Sequence, residues 1–217
     1  MDHPPLILAS ASPRRQELLA SAGISFETIP SEADEGTLEG ESPGEYVRRL
    51  ARGKAADVAA KHRHRWVLAA DTIVVIDGSI LGKPRDLPEA REMLERLSGR
   101  EHRVLTGYCI LHCSSGKTRE GRVITRVRFK SLSPEEINWY LDTGEPFDKA
   151  GAYAVQGKAA FMVKEISGSY TNVVGLPLCE VIEDLEELGA IALLGKSSAS
   201  TKSQPREARD QIINKHQ

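Results

Sequence analysis

An apolar segment interrupted by a single carboxylate constrains the fold of this 217-residue chain more than any other feature. The runs Val67–Ala70 and Ile73–Ile76 flank Asp71 and Thr72, and both runs predict apolar β-strand. An Asp-Gly dipeptide follows directly, and this pair is a strong signal for a hairpin turn. We therefore expect an apolar strand that contains one acidic residue and is followed by a hairpin turn.

Helix and strand signals alternate along the rest of the chain. A Ser-Pro pair opens a predicted helix at Ser12, and capping-box patterns open two more at Ser42 and Ser133. Helices are predicted over 12–22, 42–61, 86–97, 133–144 and 177–188, and further strands over 6–9, 24–29, 104–112, 117–129 and 161–166. This order predicts an α/β or α+β architecture with a mixed sheet, without strict β-α-β alternation.

The domain organisation follows from the length and from a change in composition near the C-terminus. The length suits one domain, predicted over 1–195. Within it we expect one lobe from 1–30, 67–110 and 150–185, and a second lobe from 111–145. Serine, lysine and glutamine dominate beyond Lys196, which predicts a mobile tail over 196–217.

The overall charge and the cysteine content exclude several classes of protein. The 29 basic and 31 acidic side chains give a net charge of -2, which argues against a nucleic acid polymer or an anionic membrane as the main partner. Three scattered cysteines are too few for a disulfide framework, so a reducing compartment is expected. The sequence has no apolar run of bilayer length and no signal-peptide pattern, so we predict a cytoplasmic protein.

The turn after the first predicted strand has the residue types of an anion-binding site. Ser10, Ser12, Arg14 and Arg15 surround the start of a helix, where free N–H groups and the helix dipole favour negative charge. Their hydroxyls and forked guanidinium donors suit phosphate oxygens. Ser-Pro is also a common helix start, and arginines decorate many helices. Two arginines in the first turn oppose the dipole, however, so a negative group is expected close to them.

Carboxylates supply the second kind of candidate. Asp71 within an apolar run is costly unless it is paired, hydrogen-bonded or bound to a metal. It is either a structural residue satisfied by backbone amides, or a general base or ligand of a divalent cation. The acidic loop with Glu32, Asp34 and Glu35 is either solvated surface or the source of a second metal-bound carboxylate. Oxygen ligands of this kind suit Mg²⁺ or Mn²⁺.

Two lysines and a glutamine complete the set of candidates. Gly82-Lys83 fails the Walker pattern because Pro84 replaces the Ser or Thr that would hold the metal, so Lys83 either reaches a phosphate as a point charge or is solvated. Lys54, in a predicted amphipathic helix, is by itself best explained as a surface lysine. Gln156 offers a donor and an acceptor, as reading a base edge requires.

Taken in order, these motifs resemble the Maf family of nucleoside triphosphate pyrophosphatases. The resemblance covers about residues 6–188 and rests on six groups of motifs that occur in the same order as in the family. These are Leu-Ala-Ser-Ala-Ser-Pro-Arg-Arg ending at Arg15, Ala70-Asp71-Thr72, Gly82-Lys83-Pro84, Leu97-Ser98-Gly99, Asp148-Lys149-Ala150-Gly151-Ala152-Tyr153 with Gln156-Gly157, and Gly168-Ser169-Tyr170 with Val174-Gly175-Leu176-Pro177. It implies an α/β fold in which a two-lobed mixed sheet, flanked by helices, encloses a cleft, as in inosine triphosphatases. It also implies a house-cleaning hydrolase that cleaves the α–β phosphoanhydride of a nucleoside triphosphate to a monophosphate and pyrophosphate.

The resemblance also implies roles for individual residues. The general base of the family falls on Asp71, and its metal-binding acidic position falls on Asp34 or Glu35, with Mg²⁺ or Mn²⁺ as cofactor. The positions that the family associates with base choice fall on Arg14, Thr72 and Gln156. Its polar cleft positions fall on Ser10, Arg15, Lys54 and Lys83.

The motif that contains Gln156 resembles the branch of the family that acts on dTTP and UTP. Two alternatives stay open: a sibling enzyme for methylated purine triphosphates such as 7-methyl-GTP, and a non-enzymatic nucleotide-binding regulator of septum formation. A homodimer is also expected from the family.

Overall fold

The computed structural model describes residues 4–192, so the predicted tail over 196–217 lies outside the described residues. The strands are β1 Leu6–Leu8, β2 Phe26–Thr28, β3 Trp66–Ile76, β4 Ser79–Leu81, β5 Glu101–His112, β6 Lys117–Phe129 and β7 Val163–Ser167. The helices are α1 Pro13–Ser21, α2 Pro43–Lys61, α3 Leu87–Leu97, α4 Pro134–Asp142, α5 Tyr170–Val174 and α6 Leu178–Glu187. None of the helices described is long and apolar enough to cross a membrane.

All seven strands form one mixed sheet in the order β2-β1-β3-β5-β6-β7, with β4 paired to β3. β1 runs parallel to β2 and β3, whereas the remaining pairs are antiparallel. β3 is a single strand, because Asp71 and Thr72 continue the ladder opposite Gly107 and Thr106 of β5. The predicted apolar strand is therefore confirmed, but the carboxylate does not interrupt its pairing. The predicted hairpin is also confirmed: β3 and β4 are joined by two residues, Asp77 and Gly78, both with positive φ.

Helices cover both faces of the sheet, and alternate residues of β3 point to different helices. Val67 and Ala69 pack against α2, which lies along one face. On the other face, Leu68 packs with α1 and α6, whereas Val74 packs with α3 and α4. The second face thus has two apolar groups, one at each end of β3, and Val163, Ile166 and Val173 pack against both. The expected α/β fold with a mixed sheet flanked by helices is confirmed.

The predicted boundary between the lobes is wrong. The segment 111–145 is not a separate unit, because β6 pairs with β5 along its whole length. Phe129 of β6 and Tyr140 of α4 share an apolar cluster with Leu94 of α3 and Tyr153. One apolar cluster is therefore built from α3, α4 and the segment around Tyr153, and another around α1 and α6.

A close approach of α2 to the sheet depends on Gly107, which lies directly opposite Asp71. A Cβ atom at Gly107 would lie 2.4 Å from the carbonyl oxygen of Val47 and 2.7 Å from the backbone nitrogen of Arg48. Because these are backbone atoms, a side chain here would push the helix away from β5.

We expect Gly107→Ala to lower the free energy of unfolding by about 1–3 kcal/mol through overpacking. Urea denaturation measures this effect. Gly44→Ala is the matched control on α2, because its Cβ would meet only the mobile end of the Arg122 side chain. The control should be close to wild type. Equal losses from both variants would contradict a specific backbone clash at Gly107.

A buried histidine makes stability depend on pH. His102 is 2% exposed, shares a 2.7 Å hydrogen bond between its Nε2 and the hydroxyl of Tyr153, and packs edge-on against Phe129. Its Nδ1 is buried and has no hydrogen-bond partner among residues 4–192. Burial lowers the pKa of His102 to about 4, so the ring is neutral in the folded protein at pH 7.

The lowered pKa of His102 means that the unfolded chain binds more protons than the folded one between about pH 6.5 and pH 4. The contribution of His102 to stability is complete above that window and is lost as pH falls, by about 3 kcal/mol in total. We expect His102→Gln, whose amide can still bond Tyr153, to show a smaller loss than wild type between pH 7 and pH 5 in urea denaturation. Parallel curves for the two proteins would contradict this assignment.

Candidate active site

The cleft opens along the part of β3 that lacks a strand on one side. β5 pairs along one edge of β3, whereas the other edge is shared by β1, at Val67 and Leu68, and β4, at Val74–Ile76. Asp71, Thr72 and Ile73 lie in the gap between them and line a cavity of about 690 Å³. This volume lies within the range of cavities that bind small molecules. The gap leaves polar residues of a central strand accessible from outside.

The N-terminus of α1 forms one wall of the cavity. β1 ends at Leu8, and Ser10, Ser12, Arg14 and Arg15 follow at the entrance to the helix. Ser12 occupies the N-cap position without a side-chain cap hydrogen bond, and the first turn has no acidic residue. The positive end of the helix dipole therefore has no negative side chain of its own helix to complement it.

Arg15 is held in the floor of the cleft by three neutral acceptors. Its Nε donates to the Gly175 carbonyl oxygen at 2.7 Å, Nη1 to Ser10 Oγ at 3.1 Å, and Nη2 to Thr72 Oγ1 at 3.1 Å. Burial lowers its pKa, and the charge of Asp71 opposes this effect. Within residues 4–192, no carboxylate lies within 4.0 Å of the Arg15 guanidinium. A partly buried cation without a close counter-ion favours the binding of an anion.

Lys54 lies between two carboxylates on the α2 side of the cleft. Its Nζ is 2.7 Å from Asp71 Oδ1 and 2.7 Å from Glu35 Oε1. The Lys54 and Asp71 side chains are only 13% and 11% exposed, whereas Glu35 is 60% exposed. Burial raises the pKa of Glu35, but the hydrogen bond and charge of Lys54, together with the charges of Lys83 and Arg15, lower it below its usual value. Glu35 and Asp71 therefore converge on one positive charge.

The structure brings Glu35, and not Asp34, to the cleft. Asp34 Oδ1 accepts a hydrogen bond from the Gly36 amide at 3.0 Å, so its carboxylate closes a local turn. Tyr46 of α2 donates its hydroxyl to the Glu35 carbonyl oxygen at 3.0 Å and thereby ties the loop to the helix. Glu32 lies outside the cavity, 3.9 Å from Lys61.

The remaining candidates occupy different positions. Arg14 forms an ion pair with Asp148 at 3.2 Å across the mouth of the cleft. Lys83 follows β4, lines the cavity and is exposed. Gln156 is partly exposed and is not among the residues that line the cavity, although Tyr153 of the same segment is.

Tyr46 is a cleft residue that the sequence-based analysis missed. Tyr46 precedes Lys54 by eight residues on α2, and this spacing places the two side chains on neighbouring sides of the helix. The spacing could therefore have indicated that Tyr46 lies near the cleft. Its contact with the acidic loop was not predictable from that spacing.

Comparison with known proteins identifies the family. The family model described as Maf-like protein matches residues 5–188. The chain belongs to the Maf family. The resemblance found from the motifs is thereby confirmed, and the matched range contains every cleft residue described above.

Curated Maf relatives have similar lengths and high identity. The chain is 56% identical to a protein of Geotalea uraniireducens named dTTP/UTP pyrophosphatase, over 86% of this chain and 96% of that one. It is 55% identical to a protein of the same name from Geobacter metallireducens, over 86% and 97%. Among solved structures, a HAM1 protein from Coxiella burnetii is 17% identical with a TM-score of 0.46, over 84% of this chain and 98% of that one.

Proposed function

We propose that this Maf protein is a nucleoside triphosphate pyrophosphatase that hydrolyses dTTP and UTP to the monophosphate and pyrophosphate. The observation that supports this most directly is Arg15, a partly buried guanidinium that is held by neutral acceptors and lines a cavity. Relatives at 56% and 55% identity are named dTTP/UTP pyrophosphatase. A hydrolase of this kind would remove unwanted triphosphates from the nucleotide pool.

The cations of the cleft suit a chain of phosphates. Arg14 and Arg15 stand at the N-terminus of α1, Lys83 follows β4, and Lys54 belongs to α2. In this proposal they bind the triphosphate from three sides and stabilise the negative charge that develops on the pyrophosphate leaving group. Asp71, in the floor between them, accepts the proton of the water that attacks the α-phosphorus in line.

The donor set also fits a divalent cation. Asp71 and Glu35 point at the same ammonium from two different elements, and carboxylate oxygens are the ligands that Mg²⁺ and Mn²⁺ prefer. We propose that these two carboxylates hold the metal. A bound ion would neutralise phosphate charge and increase the acidity of a bound water.

Glu35→Gln is expected to weaken Mn²⁺ binding about tenfold or more, because it removes one charged ligand. Electron paramagnetic resonance of free Mn²⁺, titrated with the purified protein, measures this affinity. Asp34→Asn is the matched control, since its carboxylate forms a local turn outside the cavity. An Asp34→Asn variant that loses more affinity than Glu35→Gln would show that the other acidic residue is the ligand.

A panel of nucleotides tests the substrate. Purified protein with Mg²⁺ or Mn²⁺ is incubated with dTTP, UTP, CTP, dGTP and 7-methyl-GTP, and pyrophosphate and nucleotide products are quantified. We expect dTTP and UTP to give equimolar monophosphate and pyrophosphate. A preference for 7-methyl-GTP would support the sibling enzyme, and release of diphosphate and orthophosphate would contradict cleavage at the α–β bond. Tight binding of dTTP without turnover would support the non-enzymatic regulator of septum formation.

The proposal extends to base choice, location and assembly. From the family we expect Arg14, Thr72 and Gln156 to contribute to the selection of the base, a cytoplasmic location and a homodimer. The Thr72 hydroxyl accepts a hydrogen bond from Arg15, so its influence on the base would be indirect. Size-exclusion chromatography with light scattering tests the dimer.

A further inference from the structure

Three side chains form a hydrogen-bonded chain beneath the cleft floor. Arg15 Nη2 donates to Thr72 Oγ1 at 3.1 Å, Thr72 Oγ1 lies 2.9 Å from Thr106 Oγ1, and Thr106 Oγ1 donates to the Asn172 carbonyl oxygen at 3.2 Å. Thr106 lies on β5 directly opposite Thr72 and is 0% exposed. It does not line the cavity. It therefore reaches the site only through Thr72.

The donors and acceptors give this chain a direction. Either hydroxyl can donate in the bond between Thr72 and Thr106, but Thr106 also has a carbonyl acceptor in Asn172; when its single hydrogen points there, Thr106 Oγ1 accepts from Thr72. Thr72 has an alternative acceptor in the Gly175 carbonyl oxygen, but that contact is 3.3 Å long against 2.9 Å to Thr106. The shorter contact favours the arrangement in which the Thr72 hydrogen points to Thr106 and Thr72 Oγ1 accepts from Arg15.

The inner end of the chain is anchored in the sheet. Asn172 of α5 is 0% exposed, and its Nδ2 donates to the Val104 carbonyl oxygen at 3.1 Å and to Thr125 Oγ1 at 2.9 Å. These bonds attach α5 to β5 and β6. The residue just after α5 is Gly175, whose carbonyl oxygen accepts from Arg15 Nε at 2.7 Å. Two of the three acceptors of Arg15 thus depend on the same buried unit.

The N–H groups of Arg15 can be counted. A guanidinium side chain has five, one on Nε and two on each terminal nitrogen. Gly175, Ser10 and Thr72 accept three of them, from Nε, Nη1 and Nη2 respectively. One N–H remains on each terminal nitrogen. Two N–H groups on neighbouring guanidinium nitrogens can bind two phosphate oxygens at once.

We infer that Thr106 is a positioning residue for Arg15. Its hydroxyl accepts from Thr72, keeps Thr72 Oγ1 available as an acceptor for Nη2, and so holds the guanidinium with its two remaining N–H groups directed at a phosphate. This inference depends on the proposed function in one respect: the anion that Arg15 binds is a triphosphate.

Two substitutions at Thr106 test the inference. Thr106→Val has nearly the same shape but no hydroxyl, whereas Thr106→Ser keeps the hydroxyl and loses a methyl group. The affinity of the full-length protein for inorganic triphosphate is measured by calorimetry, with urea denaturation to verify folding. We expect Thr106→Val to bind about tenfold more weakly, and Thr106→Ser to stay within about twofold of wild type. Wild-type affinity in Thr106→Val would overturn the inference, as would equal losses in both variants or failure of wild type to bind triphosphate.

A double-mutant cycle separates positioning from a purely structural role. In an Arg15→Met background Thr106 has no guanidinium to orient, so Thr106→Val should have no further effect on triphosphate affinity. A loss that persists at full size in that background would overturn the inference. The measurement does not depend on turnover: if wild type fails to hydrolyse dTTP, the proposed function fails, and the cycle with inorganic triphosphate still decides the role of Thr106.

Discussion

Asp71→Asn is expected to lower kcat for dTTP by about 10²- to 10⁴-fold, the range typical for loss of a general base. Asparagine has nearly the same shape as aspartate but cannot accept the proton of the attacking water. Lys54 Nζ contacts both Asp71 and Glu35 at 2.7 Å, so in the variant Glu35 would be the one carboxylate of the described residues that remains close to Lys54. Pyrophosphate release at saturating metal and nucleotide measures the effect.

The control for Asp71→Asn is a carboxylate with a structural role alone. Asp86 is the N-cap of α3, where its side chain accepts a hydrogen bond from the Glu89 amide, and asparagine caps helices equally well. Asp86→Asn should therefore keep the wild-type rate. Urea denaturation of Asp71→Asn shows whether the fold is retained. A folded Asp71→Asn variant with the wild-type kcat would refute the role of Asp71 as base.

Local signals predicted most of the secondary structure. The capping boxes at Ser42 and Ser133 start α2 and α4 as expected, because a cap depends only on residues within one turn. The five-residue helix α5 was missed, since it is too short to have a clear periodicity. The short 3-10 turn over 157–162 was likewise not predicted, and the strand after it begins at Val163 and not at Phe161.

The site was predictable in its residue types but not in its contacts. Asp71 drew attention because a carboxylate in an apolar run is costly, yet what exposes it is the gap between β1 and β4 along β3, which only the strand pairing reveals. The choice between Asp34 and Glu35 depends on a bond from Tyr46 to the loop. Thr106 looked like an ordinary β-branched strand residue, because its partners Thr72 and Asn172 lie 34 and 66 positions away.

Arg15→Met is expected to lower kcat/KM for dTTP by about 10²- to 10³-fold, while the free energy of unfolding stays unchanged or rises by up to about 2 kcal/mol. The activity falls because the fork that binds two phosphate oxygens is removed. Stability does not fall, because within residues 4–192 Arg15 has no carboxylate within 4.0 Å and its charge lies in a site where burial lowers its pKa. Methionine fills similar space without a buried charge.

Arg15→Lys separates charge from geometry. A lysine keeps the positive charge but cannot bond to Gly175, Ser10 and Thr72 and still present two parallel donors. The activity of Arg15→Lys should therefore be closer to that of Arg15→Met than to that of wild type.

The stabilisation of the protein by its ligand provides the second measurement for Arg15. Triphosphate at about 100 times its Kd should stabilise wild type by about 2.7 kcal/mol, and the same concentration should stabilise Arg15→Met far less. A large loss of stability in ligand-free Arg15→Met would instead show that Arg15 holds the cleft together. In that case the three hydrogen bonds would outweigh the cost of the buried charge, and Arg15 would be part of the scaffold as well as a ligand for phosphate.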